Sequence, residues 1–143
     1  MRTCLTWVVC LLSLSLMPLP TKATDQVPRV SFTKQIKPLL TSRCINCHHV
    51  GSMFGQLSLE NRSMAFKPRV NGPVIRPGRP ESSVLYLVLK LPPKNPKAMP
   101  PAGHRVTDRE MNLLYDWIKQ GAEWPEGKDG VLTPLRKDRR VGA

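Results

Sequence analysis

The chain has 143 residues, one domain's worth, and carries 22 Lys and Arg against 10 Asp and Glu, a formal charge of +12. Aromatic residues make up only 6% and prolines number 15, which argues against a sizeable aliphatic core. The surplus of base suits an acidic protein partner, an anionic membrane surface or an acidic polymer, or serves solubility alone.

Residues 1–23 read as a secretory signal. Arg2 precedes an apolar run from Leu5 to Met17, then come Pro18, Pro20 and Thr21-Lys22-Ala23, with cleavage expected after Ala23. The run is short for a membrane span and is followed by helix-breaking prolines. An uncleaved signal would tether the protein to the membrane. Lipidation at Cys10 is disfavoured by Trp7-Val8-Val9 and by its early position. Export makes the protein periplasmic or secreted and removes nucleic acid as a partner. The mature chain then has 120 residues, 20 bases and 10 acids, for a charge of +10.

Phe32, Ile36, Leu39 and Leu40 follow helical spacing from Phe32 to Arg43, with Ser31 or Thr33 available as cap and Pro38 expected to kink or divide the helix. This helix delivers the chain into Cys44-Ile45-Asn46-Cys47-His48. Two thiols at this spacing can add to the two vinyl groups of one porphyrin, and the adjoining histidine then serves as an axial ligand, so the segment is a haem c attachment sequence. The same pair of cysteines also occurs in redox disulfides and zinc sites. Those uses need a βαβ context or a second ligand pair, whereas the other cysteines here, Cys4 and Cys10, lie in the signal. A haem would also supply the apolar volume that the composition lacks.

Between Gly51 and Lys67 the sequence predicts a loop and a short helix near Glu60 to Phe66. Pro77-Gly78 suits the centre of a type II turn. Pro80 and Glu81 then open a predicted helix through Leu89, closed by Pro92-Pro93. Leu91 to Pro101 holds five prolines and must be extended or turned. Thr107-Asp108-Arg109-Glu110 is a capping box, and the following helix runs to about Gln120 with Met111, Leu114, Trp117 and Ile118 on one face, stopping at Gly121. From Gly127 the chain turns basic and polar, and reads as a flexible tail containing Arg136, Lys137, Arg139 and Arg140.

With His48 on one side of the iron, candidates for the other side are Met53, Met64, Met99, Met111, His49 and His104. His49 abuts the proximal ligand, Met111 belongs to an amphipathic helix, and Met53 and Met64 lie close to the attachment site. Met99 is preferred because it precedes Pro100-Pro101, where backbone freedom is already restricted and less entropy is lost on ligation. His104 is the alternative.

Phe32…Ile36-Lys37-Pro38-Leu39-Leu40…Arg43-Cys44-Ile45-Asn46-Cys47-His48, Gly55-Gln56-Leu57-Ser58-Leu59, Ile75-Arg76-Pro77-Gly78, Met99-Pro100-Pro101 and Leu113…Trp117-Ile118…Gly121-Ala122-Glu123-Trp124-Pro125 together resemble the planctomycete-type cytochrome c domain, a Class I-like monohaem module. The resemblance implies an all-α, cytochrome c-like fold wrapped around one covalent haem c. It implies Cys44 and Cys47 as thioether anchors, His48 as proximal ligand and Met99 as distal ligand. Residues 1–23 are then the signal, 24–126 the cytochrome domain and 127–143 the tail. His49 stands where such domains often carry glycine, and Arg79 where an acidic cap is common.

Two functions are open at this point. If His48 and Met99 saturate the iron, the protein passes single electrons to and from a redox partner, one with an acidic surface suiting its charge. If Met99 dissociates, the iron is free to bind a diatomic ligand or peroxide, as in a sensor or peroxidase. The domain could also serve a larger redox enzyme complex. Beyond His48 and the adjoining His49, His104 is the one mature histidine, too little acid/base machinery for a stand-alone catalyst.

Overall fold

In the computed structural model, which describes residues 28–70, 72–101 and 105–135, Ser31 opens the first helical segment. Its Oγ accepts the Lys34 N–H at 3.3 Å. The chain then makes a π-helical stretch, Phe32–Ile36, that runs directly into α1, Lys37–Arg43. Pro38 has no N–H to donate, and the wide π turn just ahead of it absorbs that loss, so the helix changes type instead of breaking.

The attachment segment leads into a small hairpin of β1, His48–His49, and β2, Ser52–Met53, with His48 opposite Met53 and His49 opposite Ser52. The short helix predicted near Glu60 is α2, Arg62–Ala65, capped by Asn61 Oδ1 on the Met64 N–H at 3.0 Å. The Pro77-Gly78 turn forms as expected: the Arg79 N–H donates to the Arg76 carbonyl at 3.0 Å, and Gly78 takes the positive φ of 75° that its position requires.

The helix predicted from Pro80 to Leu89 is two elements. A 3-10 turn, Pro80–Ser82, is separated from α3, Val84–Lys90, by Ser83 in an extended conformation. Ser83 is fully buried, and its Oγ accepts the Arg76 N–H at 2.8 Å and donates to the Arg79 carbonyl at 3.0 Å. That hydroxyl competes with the helical ladder and wins because it satisfies main-chain groups of the preceding turn. Arg79, at the cap position, makes no side-chain capping bond among the described residues.

The last helix, α4, Asp108–Lys119, has both halves of its capping box. The Glu110 N–H meets Thr107 Oγ1 at 3.2 Å, and the Thr107 N–H meets Glu110 Oε2 at 2.7 Å. Leu114, Trp117 and Ile118 are its buried face, and Gly121 ends it with φ 107°.

The core is fuller than the composition suggests. Ile36, Leu40, Ile45, Leu59, Ile75, Leu114 and Ile118 are fully buried about Trp117. Phe32 stacks on Trp124 at 4.6 Å, and Trp117 and Phe66 lie 6.0 and 6.2 Å from the same ring. Aromatics are few, but four of them converge, each contributing a large buried area and favourable edge contacts. Apart from the two-residue strands β1 and β2, the regular elements of the described residues are helical.

The packed chain also continues past residue 126, where the sequence suggests that a flexible tail begins. Gly127–Asp129 form a 3-10 turn held by Lys37 Nζ, which donates to the Lys128 and Asp129 carbonyls at 3.1 and 3.0 Å. Trp124 Nε1 donates to the Gly130 carbonyl at 2.8 Å, and a Cβ on Gly130 would lie 1.7 Å from the Pro125 carbonyl oxygen, so this approach admits glycine alone. Leu132 is 1% exposed. One buried leucine and these main-chain bonds outweigh the polar character of the surrounding sequence. The predicted signal, His104 and the Arg136–Arg140 cluster lie outside the described residues.

Candidate cofactor-binding site

Cys44 forms the C-cap of α1, its N–H donating to the Leu40 carbonyl at 2.9 Å. Two further bonds turn the attachment segment tightly: the Cys47 N–H to the Cys44 carbonyl at 3.2 Å and the His48 N–H to the same carbonyl at 3.1 Å. Cys44 is thereby buried in the core while Cys47 faces solvent, and both are free thiols. Burial pushes the Cys44 thiol up to about 12; the Cys47 and Glu110 charges add to this and Arg43 opposes it. Among the described residues no three His, Cys, Asp or Glu side chains converge as a metal-ion cage.

His48 is half-buried in β1, and its carbonyl accepts the Leu59 N–H at 2.8 Å. Burial lowers its pKa below 6.5; the Phe54 and Leu57 main chain opposes the shift and the Arg69 charge adds to it. Although those main-chain groups lie close, Nδ1 itself is buried with no hydrogen-bond partner among the described residues. A neutral imidazole with a buried, unpartnered nitrogen is a costly arrangement in a closed apolar setting and a suitable one for a ligand of iron. Two free thiols able to add to vinyl groups, with this imidazole beside them as an iron ligand, fit haem c.

Met99 is half-buried and packs against the core cluster that contains Cys44. Its N–H donates to the Val88 carbonyl at 3.1 Å, tying the proline-rich loop to α3, and its peptide bond to Pro100 is cis. The loop turns through Asn95, whose N–H donates to the Pro92 carbonyl at 2.8 Å and whose Oδ1 accepts the Lys97 N–H at 2.9 Å. The other ligand candidates sit differently. Met64 lies on exposed α2, and Met111 is partly buried against the core from α4. Met53 pairs its main chain with His48 across the hairpin. His49 turns its Nδ1 to accept the Gly51 N–H at 3.1 Å, so it stabilises the hairpin turn at a position where such domains often carry glycine.

Several supporting residues give no sequence signal. Arg69 donates to the Gln56 carbonyl at 2.8 Å and to the Gly55 carbonyl, bracing the loop beside His48. Glu60 accepts the Val50 N–H on its carboxylate at 3.0 Å and the Leu132 N–H on its carbonyl at 2.8 Å. Asn46, between the two cysteines, accepts the Leu135 N–H at 3.0 Å. Arg43, just before Cys44, meets Glu110 at 3.1 Å and so links the attachment segment to the start of α4. Each is a contact between distant stretches of chain, which no local pattern announces.

No curated protein and no solved structure matches the chain. The Planctomycete cytochrome C family matches residues 44–103, a span that opens on Cys44 and includes His48 and Met99. Phe32–Arg43 and the α4 region, which the sequence resemblance also covers, lie outside that span. Two cysteines, one histidine and a methionine, on elements that hold them by main-chain bonds, thus fall inside the segment over which the chain is similar to the Planctomycete cytochrome C family.

Proposed function

We propose that this protein is an exported monohaem c-type cytochrome that transfers single electrons, with Cys44 and Cys47 as covalent anchors, His48 as proximal ligand and Met99 as distal ligand. The observation that carries this reading is His48: a half-buried imidazole with an unpartnered Nδ1, in the same short turn as two free thiols at attachment spacing. Haem c, when bound, supplies a one-electron iron couple.

The remaining chemistry belongs to the chain. Two anchors on one turn fix the attachment segment without depending on axial ligation. The lowered pKa keeps His48 neutral at physiological pH, so its lone pair is free to donate. Met99 offers a soft thioether, which favours the reduced metal and raises the potential. If His48 and Met99 held the iron together they would leave no site for an external ligand, and the bond from the Met99 N–H to the Val88 carbonyl would limit movement of the thioether. Small reorganisation of this kind suits electron transfer better than catalysis.

Haem staining after denaturing electrophoresis tests the covalent bond. An unstained band from cells competent in cytochrome c maturation, with stoichiometric zinc, would refute it. Met99→Ala should abolish the weak far-red methionine-to-iron band of the oxidised protein, and His104→Ala should keep it. The reverse pattern would move the distal role to His104, and a wild-type spectrum that is already high-spin would favour a sensor or peroxidase.

A further inference from the structure

Arg105 follows the methionine loop. Its half-buried guanidinium donates to three main-chain carbonyls: Leu89 at 2.8 Å, Leu91 at 2.8 Å and, more distantly, Met99 at 3.4 Å. Leu89 lies in the last turn of α3 and Leu91 just beyond it, where helix carbonyls lack intrahelical partners and the helix dipole is negative. The Met99 N–H is already bound to the Val88 carbonyl in the same turn. Both main-chain groups of Met99 are therefore referred to the end of α3, the amide directly and the carbonyl through Arg105. A planar fork of five donors can reach several carbonyls at once, which a single ammonium cannot.

We propose that Arg105 is a positioning residue that holds the Met99 loop in place for ligation, so that the thioether resists displacement. The proposal rests on Met99 being the distal ligand. An arginine that merely capped α3 would affect stability and leave the ligand's hold unchanged. Arg105 acts on Met99 itself, so its removal should weaken the competition that Met99 offers to an external ligand.

The test is an imidazole titration of the oxidised, full-length holoprotein, followed by loss of the far-red methionine-to-iron band. In R105Q the midpoint imidazole concentration should fall about tenfold, a difference of about 1.4 kcal/mol. R105K should lie between R105Q and wild type. Ile118→Val, a core change in α4 that touches none of the Arg105 hydrogen bonds, should lower the melting temperature while leaving the midpoint where it is. A melting temperature lowered in R105Q with an unchanged midpoint would reduce Arg105 to a helix cap and overturn the proposal. If R105Q does not accumulate, R105K decides, and an unshifted midpoint there overturns it too. A far-red band that is absent in wild type, or that survives Met99→Ala, would instead show that the ligand assignment is wrong, and the proposal would fall with it.

Discussion

Leu132 and Leu135 are three residues apart in a stretch whose sequence looks like tail, yet they are 1% and 57% exposed. Leu132→Ala removes a side chain from the packed core while leaving the main-chain bond to Glu60 intact. Leucine-to-alanine changes at such sites cost about 2–5 kcal/mol, from lost transfer energy and the cavity left behind. For a chain of the 120 residues that cleavage after Ala23 would leave, at about 4 °C per kcal/mol, the melting temperature should fall by about 8–20 °C. Leu135→Ala should cost no more than about 0.5 kcal/mol, or about 2 °C. Thermal unfolding of the two holoproteins by far-ultraviolet circular dichroism, at one heating rate, measures the contrast. A shift of under about 2 °C in both would show that 127–135 is not part of the packed domain, and the boundary at 126 would stand.

In haem-free protein Cys47 should be alkylated well before Cys44 at pH 8, because a thiol near 12 holds about a thousandth of the thiolate of an ordinary one; mass mapping that finds equal rates without denaturant would contradict the buried site. Glu110 is held below its usual 4.5, since the Thr107 and Arg43 hydrogen bonds outweigh the upward push of burial. Its stabilisation is present above the unfolded value and lost as pH falls through the folded one, so the gap in melting temperature between wild type and Glu110→Gln should close on acidification; a gap that widens would reverse the sign. Thr107→Ala should cost about 1 kcal/mol through the lost cap, measured by urea unfolding. If the basic surface steers docking, reduction by an acidic partner should slow as salt rises, charges being screened over about 10 Å at 0.1 M. Truncation after Leu135 removes four bases and one acid while sparing 127–135, so salt dependence that vanishes with it assigns docking to that cluster, and a salt-independent intact protein refutes steering.

What the sequence alone determined is what a few contiguous residues can determine. The capping box at Thr107, the turn at Pro77-Gly78 and the Asn61 region rest on donors and acceptors within four positions, so the spacing of residue types suffices. The Cys44–His48 motif is legible for the same reason, since its two thiols and imidazole lie within five consecutive residues. Met99 stands out in the sequence as a candidate ligand through the prolines that follow it. Tertiary structure decided the rest. Ser83 breaks a strongly helical stretch because the turn at Arg76–Arg79 presents main-chain groups to its hydroxyl. Leu132 is buried because Glu60 and the Trp124 corner receive it. Arg105 and Asn46 find partners 6 to 89 positions away, at distances no periodicity encodes. Local hydrogen bonding depends on order along the chain, whereas these contacts depend on which surfaces are left to meet once the helices have packed.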